Sequence, residues 1–393
     1  MSEHSTPNKV VVIGGGYAGA LAANRLRMRA DVDITLINPR ARFVDRVRLH
    51  QFVAGTCEAE VDFGTLLAEE VRLVVDSATR IDAAAHTVEL ASGSTLDYDY
   101  LIYTVGSTGA TPPVPGVDEF AYSVAEFEFA RRLRSRLDEM PPDAPITVVG
   151  GGLTGIETAA ELAERGRTVT LICGGTLAPT FGAPGRRSIA TWLSRHGVTV
   201  LEHEEVTEVG PDAVVLGGGA VRPSALTIWA AGFGVPQLAR ASGLRTDSLG
   251  RLLTDETLTS LDDDRVIAAG DAAAPSGLPL RMSSYAAGPL GAQAVDTVLS
   301  RLAGTEPAAL SVAFSGACVS LGRRSGVRQL ARKDDRPVKA YIGGRPGAAI
   351  KELTCKLGVA KIRREARKPG SLIWPKGGTR PEQPAAAQNV TSP

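Results

Sequence analysis

The sequence predicts an α/β protein built on two Rossmann-like dinucleotide-binding units and closed by a small basic region. Three observations lead there. An apolar run near the N-terminus ends in Gly14-x-Gly16-x-x-Gly19, the same grammar returns at Gly150-x-Gly152-x-x-Gly155, and glycine abounds while only 5% of residues are aromatic, which suits packed α/β layers.

The first unit reads as a strand over 10–13, a turn over 14–19, a helix over 20–29 and a strand over 34–37. The first glycine permits the tight turn, the second lets backbone N–H groups approach a pyrophosphate, and the third lets helix and strand pack closely. Tyr17 and Ala18 lie inside this turn and count with it as cofactor-binding candidates. Asn38 stands where an acid usually meets the adenosine ribose; an amide can bond a hydroxyl there, without charge. The second unit runs as a strand over 146–149, a turn over 150–155 that includes Thr154, a helix over 156–165 and a strand over 168–172. At its end, Cys173-Gly174-Gly175 offers a ribose no carboxylate, whereas Arg186 and Arg187 downstream can meet a 2′-phosphate. NADPH is therefore as acceptable as NADH.

The proline-rich stretch 111–116 reads as a crossing between domains, with a second crossing near 234–237. Residues 323–376 hold 16 Lys and Arg against four acids, a surplus of 12 in a chain of zero net charge. From residue 377 the composition is that of a disordered tail. The four cysteines never form a CxxC or CxxxxC pair, as expected of a reducing compartment. The short polar N-terminus lacks a signal-peptide pattern, and no window offers about 18 uninterrupted apolar residues. A cytoplasmic location follows, with no nucleic-acid partner and no metal site expected.

With both turns in place, three further segments resemble the FAD-dependent pyridine-nucleotide oxidoreductases with two dinucleotide domains, the superfamily of type II NADH dehydrogenases, apoptosis-inducing factor and ferredoxin reductases. Leu101-Ile102-Tyr103-Thr104-Val105-Gly106-Ser107 looks like the strand and turn leaving the flavin domain, and Ile228-Trp229-Ala230-Ala231-Gly232-Phe233 like its second copy. Val266-Ile267-Ala268-Ala269-Gly270-Asp271 matches the strand whose aspartate binds the flavin ribitol. The resemblance implies an NAD(P)H domain, 114–236, inserted into an FAD domain of 1–113 and 237–310, followed by a basic domain of 311–376. It places Glu157 near the nicotinamide carboxamide.

The segment from Phe43 to Gln51 resembles one passing near the flavin. It makes Arg46 a cofactor contact, Arg48 a stabiliser of charge on reduced flavin and His50 a proton donor. Ser284 and Tyr285 lie at a helix start facing the flavin pyrimidine end, where type II enzymes carry a glutamine-bearing quinone motif. Here Ser284, Tyr285 and Gly288 stand instead, with Gln293 further on. Tyr285 is thus also a catalytic candidate. The activity implied is transfer of a hydride from NAD(P)H to FAD and onward to a quinone or quinone-like small molecule. Alternatives are a ferredoxin-type reductase serving a protein partner, a redox-sensing flavoprotein and an oxidoreductase acting on one biosynthetic intermediate.

The basic region allows docking on an anionic membrane. Ile350, Leu353 and Leu357 share a helical face ringed by Lys351, Lys356, Lys361, Arg363 and Arg364, and Leu372-Ile373-Trp374 can sit at a lipid interface. Gly358 argues against a long continuous helix. The resemblance leaves room for a homodimer.

Overall fold

The computed structural model describes residues 7–110, 112–378 and 380. Two five-stranded parallel sheets form its frame. In the first the order is Val266–Ala268, Tyr100–Tyr103, Asn8–Ile13, Val32–Asn38, Val71–Val75; in the second it is Ala121–Ser123, Leu226–Trp229, Ile146–Val149, Val169–Cys173, Thr199–Glu202. Each sheet puts the strand that feeds its glycine turn in the centre, between the second strand of its unit and a strand returning from far along the chain. Buried on both faces, these central strands read as unbroken apolar runs: Val10, Val11, Val12 and Ile13 in one, Ile146, Val148 and Val149 in the other.

The helices begin earlier than the periodicity suggests. They span Tyr17–Leu26 and Leu153–Glu164, so each glycine turn contributes its last residues to the helix. After the third strand each unit carries an antiparallel three-stranded sheet, Ala78–Asp82, Thr87–Leu90 and Thr95–Asp97 in one and Val206–Val209, Ala213–Leu216 and Val221–Pro223 in the other. The chain passes between the large sheets twice, and the passages Thr108–Gly109 and Phe233–Gly234 pair with each other. Residue 111, in the proline-rich crossing, lies outside the described residues, as does nearly all of the tail expected from 377.

The basic region forms an antiparallel sheet, Gly316–Leu321, Ser325–Ala331 and Pro337–Gly343, followed by a helix over Gly344–Arg367. That helix runs straight through Gly358, contrary to the sequence expectation. A Cβ at Gly358 would lie 3.2 Å from the Tyr17 ring, so tertiary packing outweighs the propensity cost of about 1 kcal/mol. Its far end is tied to the first helix, because Arg25 donates to the fully buried Glu365, which also accepts from Gly370 N, Ser371 Oγ and Leu372 N. Leu372 and Trp374 turn inward, and Trp374 Nε1 donates to Ser311 O. Of that tripeptide, only Ile373 faces outward, at 89% exposed.

The helix Ser284–Leu302 crosses the first helix at Gly291, where a Cβ would meet Ala18 O at 2.5 Å, within backbone contact. Gly291→Val is therefore expected to lower stability by about 3 kcal/mol. Gly288→Ala, whose new Cβ would meet only Leu21 and Leu372 side chains at 3.8 Å, should change it little. Denaturant midpoints of the two variants check this; equal midpoints would refute the close crossing.

Candidate functional site

The two glycine turns share one design. A Cβ on Gly14 would strike the Thr104 carbonyl and one on Gly19 the Gly14 carbonyl, whereas one on Gly16 would meet nothing within 4 Å. The second turn repeats this: Gly150 abuts Ala230 at 2.8 Å, Gly155 abuts the Gly150 carbonyl, and Gly152 faces open space. Gly16 and Gly152 are also the extended N-caps of their helices, without a side-chain cap. Each helix thus presents first-turn N–H groups beside a cradle that no protein atom fills, as an anionic pyrophosphate requires. The residues fit two dinucleotides.

Around the first cradle, Asn38 Oδ1 accepts from Gly15 N at 2.9 Å and its Nδ2 donates to Arg40 O, so the amide braces the turn from within. Cys173 holds the equivalent place in the second unit, in contact with Gly151. Asp271 accepts from Ser107 Oγ at 2.7 Å and Ser283 N at 3.2 Å, joining the end of the Val266–Ala268 strand to the start of the helix led by Ser284. Arg46 donates to Ser107 O and Ala125 O. Gly106 and Gly232 both have positive φ, +73° and +77°, where the chain turns away from the two returning strands.

The densest chemistry lies deeper. Glu157, in the helix that opens with Leu153, is buried and accepts Lys351 Nζ at 2.8 Å and Ser320 N at 2.9 Å, with His50 Nδ1 3.6 Å away. His50 Nε2 faces Ser320 Oγ at 3.3 Å. Beside them, Arg48 contacts Asp45 at 3.4 Å and donates to Gln51 and to both oxygens of Glu352, while Tyr17 donates its hydroxyl to Asp45. Burial disfavours each charge singly. Even so, the carboxylate raises Lys351, and the ammonium and His50 hold Glu157 below the usual carboxylate range. Burial pushes His50 down to about 4 against the pull of Glu157, so it is a neutral imidazole at neutral pH. Burial raises the Cys355 thiol to about 11.

Two cavities of about 490 Å³ each flank this group. One is lined by Gln51, Ser320, Arg323, Arg345 and Lys351, the other by Asp45, Arg48, Cys57, Lys356 and Arg363; the Arg323–Glu352 pair borders both.

The structure therefore gathers Arg48, His50 and Glu157 into one cluster. Tyr285 lies apart from it, donating its hydroxyl to Ala313 O beneath Lys361, and Gln293 is buried and spends its amide on Ala308 O. Lys351, read from the sequence as one of a surface ring of cations, is instead the buried partner of Glu157. Ser320 and Lys351 were not legible as site residues: they come from the C-terminal sheet and helix, and only the fold brings them to Glu157. The signal available was a lone lysine amid Ala349, Ile350 and Leu353.

Because His50 is neutral when folded and cationic when unfolded at mildly acid pH, it removes stability as pH falls from about 6.5 toward 4. His50→Asn should flatten that part of the stability profile, read by thermal unfolding at several pH values. An unchanged acid limb would show that His50 is not held neutral.

The family model described as pyridine nucleotide-disulphide oxidoreductase matches residues 8–292. An NADH dehydrogenase-like protein of Mycobacterium tuberculosis is 31% identical over 68% of this chain and 73% of its own length. A type II NADH:quinone oxidoreductase of Staphylococcus haemolyticus is 26% identical over 90% of this chain and 96% of its own. The structure of a sulfide:quinone oxidoreductase from Aquifex aeolicus superposes with a TM-score of 0.77 at 20% identity, covering 92% of this chain and 93% of that one. NDH2 from Plasmodium falciparum does so with 0.74 at 16% identity, covering 92% and 98%. With two glycine cradles that fit dinucleotides and a family match over most of its length, the chain is an FAD- and NAD(P)H-dependent oxidoreductase and belongs to the pyridine nucleotide-disulphide oxidoreductase family.

Proposed function

We propose that the chain oxidises NAD(P)H and reduces a quinone or quinone-like small molecule, and that the acceptor's reacting end lies at the cavity walled by Ser320 and Lys351. The observation that carries this reading is the buried Lys351–Glu157–His50 group beside that cavity. Quinone reduction needs charge stabilisation and a proton; a buried ammonium meets the first need, and a neutral imidazole beside it, with one N–H and one lone pair, can relay a proton that comes from solvent. Relatives named type II NADH:quinone oxidoreductases support the same acceptor. Bound FAD would carry the electrons from nicotinamide to acceptor.

In this reading Gly14, Gly16, Tyr17, Ala18, Gly19, Asn38, Arg46, Gly106, Gly270, Asp271 and Ser284 hold FAD. Gly150, Gly152, Thr154, Gly155 and Gly232 hold NAD(P)H. The FAD domain is 1–113 with 237–310, the nucleotide-donor domain 114–236, and the basic domain 311–376. Arg48, its charge met by Asp45 and Glu352, orders the cavity floor. Lys351 steadies charge on the acceptor oxygen, and His50 passes the proton.

Among the described residues no helix is long and apolar enough to cross a membrane. The C-terminal helix nevertheless exposes Leu353 (56%) and Leu357 (43%) on one face, with Arg364 further along it and Lys368 just past its end. That face suits the surface of an anionic bilayer, where a lipid-borne acceptor resides.

Two outcomes are expected. Joint substitution Glu157→Gln with Lys351→Met, which removes both buried charges together, should cut NAD(P)H-dependent naphthoquinone turnover about a hundredfold. Turnover within twofold of wild type would defeat the acceptor assignment. Leu353→Ser with Leu357→Ser should lower recovery on vesicles containing anionic lipid about tenfold; equal recovery would exclude docking by this face.

A further inference from the structure

The cavity walled by Ser320 and Lys351 is also lined by Arg323, Arg324 and Arg345, with Glu352 the one acid among its described lining residues. Its neighbour sets Asp45, Glu58 and Glu352 against a similar set of cations, so the excess of positive charge is particular to the first cavity. Two of the cations there are already met. Lys351 pairs with Glu157, and Arg323 lies 3.7 Å from Glu161 and 3.6 Å from Glu352. Glu352 is in turn engaged by Arg48 and Lys356. No hydrogen bond or ion pair among the described residues engages the side chain of Arg324 or Arg345, and both residues are exposed.

The backbone holds these two arginines at one place. Gly322, Arg323 and Arg324 form the turn between the strands Gly316–Leu321 and Ser325–Ala331. Gly322 takes φ +64°, and Arg323 N donates to Glu164 Oε2 at 2.7 Å, which pins the turn to the helix Leu153–Glu164. Arg345 is the second residue of the C-terminal helix. A Cβ on Gly347 would strike the Gly326 carbonyl, and one on Gly326 would lie 2.9 Å from Ala348 N, so strand and helix start meet backbone to backbone. Each arginine stands two residues before a glycine of this contact. Like charges facing one concavity repel each other, and a cleft lined by one sign of charge concentrates ligands of the other sign. A guanidinium takes a carboxylate or sulfonate through two parallel hydrogen bonds, and about 490 Å³ lies within the range of small-molecule sites, roughly 300–1,000 Å³.

We propose that Arg324 and Arg345 form an anion subsite of this cavity and that the acceptor is a quinone whose ring carries an acidic group. The inference rests on the quinone reading above and narrows it. The reacting oxygen lies toward Lys351 and Ser320, and the acid lies with the two arginines. The acid takes no part in the redox step: NAD(P)H, one proton and the quinone give NAD(P)⁺ and the quinol, with the acidic group unchanged. Ala349 lines the cavity one helical turn before Leu353, so the tail of a lipid-borne acceptor can leave over the exposed apolar face while its ring acid stays with the arginines.

The test uses the holoenzyme with two acceptors, 2-methyl-1,4-naphthoquinone and 1,4-naphthoquinone-2-sulfonate, and with naphthalene-2-sulfonate, which carries the acid but cannot be reduced. Joint substitution Arg324→Gln with Arg345→Gln should lower the ratio of kcat/KM for the sulfonated quinone to that for the neutral one about tenfold. Calorimetric binding of naphthalene-2-sulfonate should weaken by a similar factor. Arg332→Gln with Lys339→Gln, which removes the same charge elsewhere in the C-terminal region, should leave both readings as in the wild type. A ratio that the arginine variant keeps, or that the second variant lowers equally, overturns the subsite. Naphthalene-2-sulfonate that binds the wild type and the arginine variant alike, or binds neither, overturns it too. If neither quinone is reduced although naphthalene-2-sulfonate binds through the arginines, the quinone reading fails and the anion subsite stands.

Discussion

A carboxylate cannot be buried alone, and Glu157 shows what its burial demands. Its two oxygens are met by an ammonium from the C-terminal helix, an N–H from the C-terminal sheet and, at longer range, an imidazole from the segment after the first unit's second strand. Three regions distant in sequence are thereby fixed around one side chain of the second glycine unit. Moving the helix leaves a charge unpaired in a low-dielectric interior, at a cost of several kcal/mol, and moving the sheet removes a hydrogen bond from a buried carboxylate. The arrangement that keeps the fold together is therefore the same one that sets the charge and proton state of the cavity wall.

Close backbone approach does the complementary work. Each glycine turn packs its first and third glycines and leaves the second facing vacant space, which separates the structural from the ligand-facing function within six residues. The first helix is then held between Gly291 on one neighbour and Gly358 on another, while Arg25 and Glu365 lock its far end to the C-terminal helix. Small residues set the distances and a buried ion pair sets the register. The long C-terminal helix is stable through these contacts, since its own composition includes an internal glycine.

The two nucleotide-binding units were legible because their signals are local: an apolar run, a glycine spacing and a helical pattern lie within about 30 consecutive residues. Helix starts were read three residues late, because the turn glycines that precede a helix carry no helical signal of their own. The small antiparallel sheets after each third strand and the C-terminal hairpin were not seen; their strands are short, and their partners are chosen by tertiary contact. The same distinction runs through the site. Glu157 and His50 sit beside recognisable segments and could be named. Lys351, 194 residues beyond Glu157, looked like one more cation of a basic surface, and Leu372 and Trp374 looked like interfacial residues although they pack inward.

The central claim is that electrons pass through this chain from a nicotinamide to a quinone. A visible spectrum of the purified protein, recorded without oxygen on adding NADH or NADPH and then a soluble naphthoquinone, tests it most directly. A flavin spectrum that bleaches with the nicotinamide and returns with the quinone is the expected result. A protein that takes up no flavin when FAD is supplied, or a bleached spectrum that the quinone leaves unchanged, would contradict the account.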